Sequence, residues 1–209
     1  MKNLIRWNPL DYNNIRVVRE ISNNSTGTSV AGYANFPGSH GSPIDGIAFE
    51  FSAVGNTFVD NSVLVHEMGH YLGLYHTFQG GCANNDCLTD GDHVCDTPPD
   101  QSTDAVPCGL SINSCNTDTD SGFATHQDDM VQNFMDYNTP ACINQITQGQ
   151  KDRMLFFVNN DKSSLLNLSA CSSLCEDEII VDISLSTLFP EINETVSVNN
   201  NTTNAVAYS

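Results

Sequence analysis

The chain has 209 residues, 39% of them apolar, which is enough for one domain of ordinary size with a further segment appended. Its net charge is −18 and only seven residues are Lys or Arg. Because binding to phosphates depends on cationic side chains, this composition argues against nucleic acid and anionic membranes as partners. No apolar run approaches the roughly 20 residues of a membrane span.

Cysteine usage indicates the compartment. The eight cysteines form an even number and include no CxxC pair, a pattern that favours disulfides over metal binding and an extracellular, secreted protein over a cytosolic one. Residues 1–10 contain two basic side chains but no apolar segment typical of a signal peptide. We therefore expect the natural chain to begin further upstream. The composition indicates no particular oligomeric state.

The first elements along the chain are short strands and loops. Ile15–Ile21 is apolar and β-branched enough to form a strand, and Ala31–Phe36 is a second short candidate. Turn-rich loops are predicted at Asn23–Ser29 and at Pro37–Asp45. A β-sheet is therefore expected in the first 50 residues.

The next predicted strand, Gly46–Phe51, alternates apolar residues with small or polar ones. Such a strand fits a sheet edge that borders a cleft and pairs with an extended peptide. This interpretation assigns substrate binding to Ile47, Ala48 and Phe49. The alternative, that the segment is an ordinary half-buried strand, stays open.

The segment 65–78 reads VHEMGHYLGLYHTF and contains the strongest functional pattern, formed by His66, Glu67, His70, Gly73 and His76. On a helix, His66 and His70 lie one above the other, about 6 Å apart, so both imidazoles can reach one ion. Glu67 lies beside them on the same face. Leu64, Met68 and Leu72 are predicted to face the core.

The helix has to end before His76. In a continuous helix, His76 would lie roughly 9 Å beyond His70 and could not bind the same ion. Gly73 permits the break because it has no Cβ and can adopt the left-handed conformation that ends a helix. The three histidines are then predicted to bind one Zn²⁺ and to leave a position for water, as in catalytic zinc sites.

The segment Gln79–Thr125 has little periodicity and holds five of the eight cysteines. A structureless loop of this length requires disulfides or ions to order it. Eight cysteines permit 105 connectivities. A zinc site formed by cysteines is the competing interpretation; its ligands would be Cys82, Cys87, Cys95 and Cys108.

Acidic residues are concentrated in the same loop. Because close carboxylates with few nearby cations repel one another, the cluster favours Ca²⁺, which accepts six to eight oxygen ligands at irregular spacing. A solvated acidic loop is the alternative. We assign calcium binding to Asp86, Asp90, Asp92 and Asp96.

Two further elements follow. Thr147 is predicted to cap a closing helix over Gln148–Val158, with Met154, Leu155 and Val158 on one face. Residues 166–178 form a linker with a cysteine pair, and 179–209 alternate apolar and polar residues as the first strands of an all-β module do. This tail resembles the opening of an immunoglobulin-like or PKD-like domain, but 31 residues cannot complete a sandwich of about 100.

The histidine segment matches the HExxHxxGxxH signature of metzincin proteases. Further matches are LGLYHTFQGGC, GDHVCDTPPD and NFMDY followed by a cysteine. Together they resemble the pappalysin family, in particular its cytophagalysin and ulilysin-like branch, over roughly residues 7–158. The resemblance implies an α+β fold of metzincin type at 1–165, with a mixed twisted sheet, an active-site helix and a C-terminal helix. Family members carry a first strand, a backing helix and a propeptide further upstream, so this domain is expected to be incomplete at its amino terminus.

The resemblance also implies residue roles. Glu67 is expected to act as general base, Tyr137 to interact with zinc and the reacting carbonyl, and Met135 to form a hydrophobic base under the metal. A packed core Tyr and a core Met are the alternatives for the last two. The implied disulfides are Cys82–Cys115 and Cys108–Cys142, which leaves Cys87 to pair with Cys95 and Cys171 with Cys175. Ulilysin-like relatives bind calcium in the corresponding region.

A departure from the family concerns specificity. Some relatives prefer a basic residue just after the cut, which is attributed to an acid near the cysteine that follows the Met-turn. Residues 138–141 read Asn-Thr-Pro-Ala and contain no carboxylate, so a broader or more apolar preference is expected.

The predicted function is that of a secreted zinc endopeptidase acting on proteins or peptides. A catalytically weak or inactive metal-binding or adhesion module is the alternative.

Overall fold

The computed structural model describes residues 6–22, 30–53, 62–83, 85–101 and 105–166, together with the backbone of two short strands at 183–185 and 198–200. The chain divides into two compact units, 1–167 and 168–209. The first unit contains the histidine segment, the long cysteine-bearing loop and Met135.

The sheet of the first unit has three strands: β1 (Ile15–Val18), β2 (Gly32–Ala34) and β3 (Ile47–Glu50). Their order is β1-β3-β2, with β3 parallel to β1 and antiparallel to β2. The described sheet is therefore mixed, as expected. Short 3-10 turns follow at Pro37–Ser39, Phe51–Ala53 and Ser163–Leu166.

The prediction that β3 borders the cleft is wrong. Both of its edges are occupied, since Ala48 lies opposite Arg16 of β1 and Tyr33 of β2. Ile47, Ala48 and Phe49 are at most 3% exposed, so their nearly continuous apolar run belongs to a central strand covered on both faces. The outer strand near the active-site helix is β2.

Helix α1 (Ser62–Tyr71) carries the first two histidines and packs on the sheet. Partly buried apolar side chains of α1 and of the residue after it contact the core formed by Ile47, Phe49, Ala53 and Tyr71, and they include the three predicted to do so: Leu64, Met68 and Leu72. The histidine-bearing face is thus held on a packed element.

Helix α1 ends in a Schellman motif. The Leu74 amide donates to the Gly69 carbonyl at 2.9 Å and the Gly73 amide to the His70 carbonyl at 3.0 Å. Gly73 has a φ of +96°, the left-handed conformation that ends a helix. This geometry agrees with the expected break after the second histidine.

Replacing Gly73 by Ala is expected to destabilise the first unit strongly. A Cβ at this position would collide with the Phe157 ring, so a steric cost adds to the backbone cost and the sum is about 2–5 kcal/mol. Gly122→Ala is the matched control, because Gly122 has the same φ of +96° with no atom within 4 Å of a Cβ, and it should cost only about 1–2 kcal/mol. Urea unfolding measures both. Equal losses would contradict the steric contribution.

Helix α2 (Gln148–Asn159) begins at a capping box, with the Gln150 amide donating to Thr147 Oγ1 at 3.1 Å. Asp96 also serves this helix start, since its carboxylate accepts from Thr147 Oγ1 at 2.7 Å and from the Gly149 amide at 2.8 Å. Met154 and Val158 are partly buried as predicted, whereas Leu155 is 47% exposed. The inner face is completed instead by Arg153 and Phe157.

The long loop after α1 is cross-linked. The structure joins Cys82 to Cys115 and Cys108 to Cys142, the two pairs that the family resemblance implied, and it joins Cys87 to Cys95, the pair that those two left. Because these cysteines are in disulfides, the alternative of a thiolate zinc site does not hold. Cys171 and Cys175 lie outside the described residues.

The second unit contains an antiparallel pair, β4 (Ile183–Leu185) and β5 (Val198–Asn200). An immunoglobulin-like or PKD-like module remains a prediction, as does the linker at 166–178. We find no helix with the length and apolar character of a membrane span among the described residues.

Candidate metal centre

The three histidines of the motif converge at the end of α1. The Nε2 atoms of His66 and His70 are 3.1 Å apart, those of His66 and His76 3.2 Å, and those of His70 and His76 3.0 Å. Among the described residues, this is the only group of three or more possible ligands that comes together. The break at Gly73 is what returns His76 to the other two.

Backbone carbonyls orient two of the rings. His66 Nδ1 lies 2.7 Å from the Phe134 carbonyl oxygen, and His70 Nδ1 lies 2.8 Å from the Leu74 carbonyl oxygen. A carbonyl only accepts, so each Nδ1 carries the proton and each Nε2 presents its lone pair to the centre. These two carbonyls therefore fix the tautomer that metal binding needs.

Burial keeps the histidines neutral. It is the largest cause that lowers the pKa of His66 to about 4 and that of His76 to about 3, and the neighbouring His70 lowers both further. The pKa of His70 is lowered as well, again mainly by burial. All three are therefore available as neutral ligands at pH 7.

The residues fit a zinc ion. Three lone pairs directed at one another about 3 Å apart repel unless a cation lies between them. A tetrahedral ion with Zn–N bonds of about 2.0–2.1 Å places its nitrogen ligands about 3.3 Å apart. The observed separations of 3.0–3.2 Å are close to this value. Among the described residues no fourth ligand joins the three neutral imidazoles, which matches a catalytic rather than a structural zinc site.

Glu67 lies beside the triad in a confined position. It is 6% exposed and faces β2, because a Cβ built on Gly32 would be 2.9 Å from Glu67 Cγ and 3.0 Å from Oε1. Any side chain at position 32 would therefore displace the carboxylate. Gly32 was not among the predicted site residues, although an isolated glycine within a strand often marks a close approach of another group.

Met135 packs against helix α1 between the two histidines of that helix. It is fully buried, and its sulfur packs so closely on α1 that a Cβ at Gly69 would collide with it. Its carbonyl accepts from the Thr77 amide at 3.2 Å. The Met135 turn is thereby connected both to the helix and to the segment that carries His76.

Tyr137 lines the other side of the centre. Its ring centroid is 4.8 Å from that of His76 and 5.7 Å from that of His66, and its side chain is 52% exposed. Burial raises its pKa, and the charge of Glu67 raises it further. This exposed position is not that of a packed core tyrosine.

A cavity of about 400 Å³ opens next to Glu67. Its wall combines part of the segment leading into β2 with the first turns of α1 and the segment after Met135. The residues that line it include Val30, Gly32, Val63, Asp136, Pro140 and Ile143. Asp136 is 6% exposed, accepts from the Tyr137 amide at 2.6 Å, and has a pKa raised to about 6, mainly by burial.

The four aspartates assigned to calcium do not converge. Each accepts hydrogen bonds from its own surroundings: Asp86 from the Leu88 amide, Asp90 from the Asn85 and Asp86 amides, Asp92 from Thr97 and the Val94 amide, and Asp96 from the start of α2. Burial raises the pKa of Asp92 to about 7. Calcium binding remains a prediction, and the observed hydrogen bonds already explain these residue types.

The mixed sheet, the two helices and the histidine triad beside a buried glutamate define a metalloprotease fold of the zincin class. A family model described as pregnancy-associated plasma protein-A, peptidase M43, matches residues 3–159. The chain therefore belongs to the peptidase M43, or pappalysin, family.

Solved structures and curated relatives agree with this family. Mature mirolysin of Tannerella forsythia, in complex with a cleaved peptide, matches with a TM-score of 0.56 and 25% identity over 77% of this chain and 58% of that chain. An extracellular metalloprotease of Sordaria macrospora is 40% identical over 99 residues, which are 47% of this chain and 30% of the relative. Extracellular metalloprotease 1 of Coccidioides posadasii is 37% identical over 121 residues, 58% of this chain and 34% of the relative. The chain thus spans about a third of these curated relatives.

Proposed function

We propose that this chain is a secreted zinc-dependent endopeptidase in which Glu67 is the general base. The convergence of three Nε2 atoms to within 3.2 Å of one another beside the buried Glu67 carries the proposal. Three disulfides and relatives named extracellular metalloproteases support secretion. The similarity to mirolysin, whose structure was solved in complex with a cleaved peptide, supports a peptide substrate.

His66, His70 and His76 would hold the zinc through Nε2. Zinc bound there would polarise the scissile carbonyl and make the attacking water more acidic. Glu67 accepts the proton of that water and passes it to the leaving amine. Tyr137 donates its hydroxyl hydrogen to the carbonyl oxygen of the scissile bond as negative charge develops on it. Met135 supports the histidines through its packing on α1.

The outer strand β2 is the element we assign to substrate binding, in place of β3. An extended peptide added along β2 would gain main-chain hydrogen bonds. Gly32 leaves room for both the peptide and Glu67 because it has no side chain. The scissile bond is then held between Gly32 and the triad.

The zinc assignment is tested by metal content and hydrolysis together. Alanine at His66, His70 or His76 is expected to remove most of the bound zinc and the chelator-sensitive hydrolysis of casein. His126→Ala is the matched control, because its side chain is 58% exposed and bonds Asp118 rather than the triad. A triad variant that keeps one zinc per chain would contradict the assignment.

The alternative function is that of a metal-binding or adhesion module, and it predicts a different combination of zinc content and hydrolysis. It predicts one zinc per wild-type chain and no hydrolysis of casein or gelatin with or without chelator. The retention of a buried Glu67 next to the triad favours the enzyme, since a binding module has no use for a base at that position.

The cavity beside Glu67 predicts which substrate side chain is preferred directly after the scissile bond. Its wall includes Val63, Pro140 and Ile143, and Asp136 is the carboxylate beyond Glu67 that lines it. One oxygen of Asp136 is already engaged by the Tyr137 amide. We therefore expect apolar residues to be preferred there over Arg or Lys, because an imperfectly paired buried cation costs several kcal/mol.

Cleavage-site profiling with a proteome-derived peptide library measures this preference. Asp136→Asn provides the control, since it removes the charge and keeps the size of the side chain. A wild-type profile dominated by Arg or Lys that disappears in Asp136→Asn would overturn the prediction and assign the selection to Asp136.

A further inference from the structure

Three aromatic rings contact one another in series, with tilted ring planes, on the His70 side of the centre. The Phe36 ring centroid is 5.4 Å from that of His70 and 5.1 Å from that of Tyr75, and the Tyr75 centroid is 5.2 Å from that of His93. We call Phe36, Tyr75 and His93 the aromatic shelf. None of these residues lines the cavity beside Glu67, and the reaction described above does not use them.

The shelf is held in place from behind. The Arg153 guanidinium carbon lies 5.3 Å from the Tyr75 centroid and 5.1 Å from the Phe157 centroid, while its Nε donates to the Gly73 carbonyl at 2.8 Å. Arg153 therefore connects Tyr75 to α2 and to the end of α1. Such contacts fix the orientation of an aromatic ring at little further cost in entropy.

His93 occupies an uncommon backbone conformation. Among the described residues other than glycine it alone has a positive φ, of 63°. For a residue with a Cβ this conformation is sparsely populated, and it persists only where neighbouring contacts impose it. The His93 amide donates to the Asp90 carbonyl at 3.2 Å, and the adjacent Asp92 is buried and accepts from Thr97 and the Val94 amide, so the chain is held on both sides of His93. The imidazole of His93 is thereby directed towards Tyr75.

The shelf has a surface available to a ligand. Phe36 is 36% exposed, and Tyr75 and His93 are partly buried. An aromatic side chain added to such a group of rings is favoured by offset or edge-to-face contact at ring distances of about 4.5–7 Å. The shelf is continuous with the metal centre through His70, so its occupant is a neighbouring part of the same substrate.

The course of β2 relates the shelf to the cut. The chain passes from Val30 and Gly32, which line the cavity, to Phe36, four residues beyond Gly32 and at most about 13 Å further along an extended chain. A peptide paired antiparallel to β2 runs in the opposite direction, and antiparallel pairing is the commoner arrangement. Its residues before the scissile bond then lie at Phe36, and those after it lie at the cavity.

We propose that Phe36, Tyr75 and His93 form a subsite that selects an aromatic side chain within three residues of the cut on its amino-terminal side. This proposal rests on the proposed endopeptidase function. It adds a second selective position on the opposite side of the scissile bond from the cavity, with specificity determined by contacts between aromatic rings rather than by charge.

The first arm of the test is hydrolysis. Two series of fluorogenic peptides, identical except for Phe or Ala at one of the three positions before the cut, are compared with the wild-type chain and with Phe36→Ala and Tyr75→Leu. At one of these positions we expect a Phe-to-Ala ratio in kcat/KM of about 10 in wild type, reduced to about 1–3 in both variants. Leu88→Ala is the control. Leu88 is an apolar residue of the loop that carries His93 and is 70% exposed, so its replacement should leave the ratio unchanged.

The second arm is binding without turnover. Fluorescence anisotropy measures the affinity of the zinc-loaded Glu67→Gln chain for the labelled Phe and Ala peptides, alone and combined with Phe36→Ala. If the Phe peptide binds more tightly than the Ala peptide but the wild type hydrolyses neither, the endopeptidase function is rejected and the aromatic subsite is supported. If the peptides are hydrolysed and the Phe-to-Ala ratio in kcat/KM is the same in all variants, the aromatic subsite is rejected and the endopeptidase function is supported. A preference for Phe after the cut instead would overturn the assigned direction of the peptide, and with it the proposal.

Discussion

Replacement of Glu67 by Gln is expected to reduce kcat for peptide hydrolysis by about 10²–10⁴-fold with little change in bound zinc. Gln has nearly the same shape and fits the same space against Gly32, where a Cβ would lie within 3.0 Å of the Glu67 carboxylate. It cannot accept the proton of the attacking water. The three histidines are untouched, so metal binding and catalysis separate in this variant.

Steady-state hydrolysis of a fluorogenic peptide and elemental analysis measure the two quantities. Glu50→Gln is a matched control because Glu50 belongs to β3 and accepts from the Ile21 amide at 2.9 Å, a role that a Gln oxygen can keep. Unchanged kcat in Glu67→Gln would exclude Glu67 as the base. Loss of zinc from the same variant would instead indicate that its carboxylate supports the metal centre.

Local spacing made the metal centre predictable. His66 and His70 are one helical turn apart, and Gly73 is the residue type that a helix end of this kind requires, so the motif contained most of the geometry. The carbonyls of Phe134 and Leu74, which fix the tautomers, could not be predicted in this way. Every residue has a carbonyl, and which one faces an imidazole depends on the tertiary fold.

The sheet shows where local patterns fail. The sequence of β3 predicts a strand, but whether that strand is central or outer depends on pairing with β1 and β2, which lie elsewhere in the chain. The calcium prediction met the same difficulty. The spacing of Asp96 in an acidic loop is compatible with an ion, whereas its observed role at the start of α2 involves Thr147, 51 residues away.

A buried charge cluster joins the end of the first unit to α1. Lys162 is fully buried, with Nζ 3.3 Å from Asp45 Oδ1 and 3.5 Å from the centroid of the Tyr71 ring. The other Asp45 oxygen is 2.9 Å from His40 Nδ1 and accepts from the Gly41 amide at 3.2 Å. His40, which sequence analysis could place only in a loop, is thus part of the interior.

Asp45→Asn is expected to destabilise the first unit by about 3–5 kcal/mol, because it leaves the Lys162 ammonium buried without its counterion. Asp45→Asn combined with Lys162→Met removes both charges and should be less destabilising than the sum of the single variants, since a methionine fills the space without desolvating a charge. Urea unfolding of the wild type, Asp45→Asn, Lys162→Met and the double variant measures this coupling. Additive losses would show that the two groups do not interact.

The loss of stability in Asp45→Asn is also expected to depend on pH, and the direction of that dependence is a second test of its cause. Burial lowers the pKa of Lys162 from 10.5, and Asp45 opposes that shift, so Asp45→Asn lowers the pKa further. Between the lowered folded pKa and the ordinary value the unfolded chain binds more protons than the folded chain, and stability therefore rises with pH in this window. The deficit of Asp45→Asn should accordingly shrink as the pH is raised towards 10, whereas that of Gly73→Ala, which involves no titrating group, should not. A deficit of Asp45→Asn that stays constant over this range would mean that the uncompensated ammonium is not its cause.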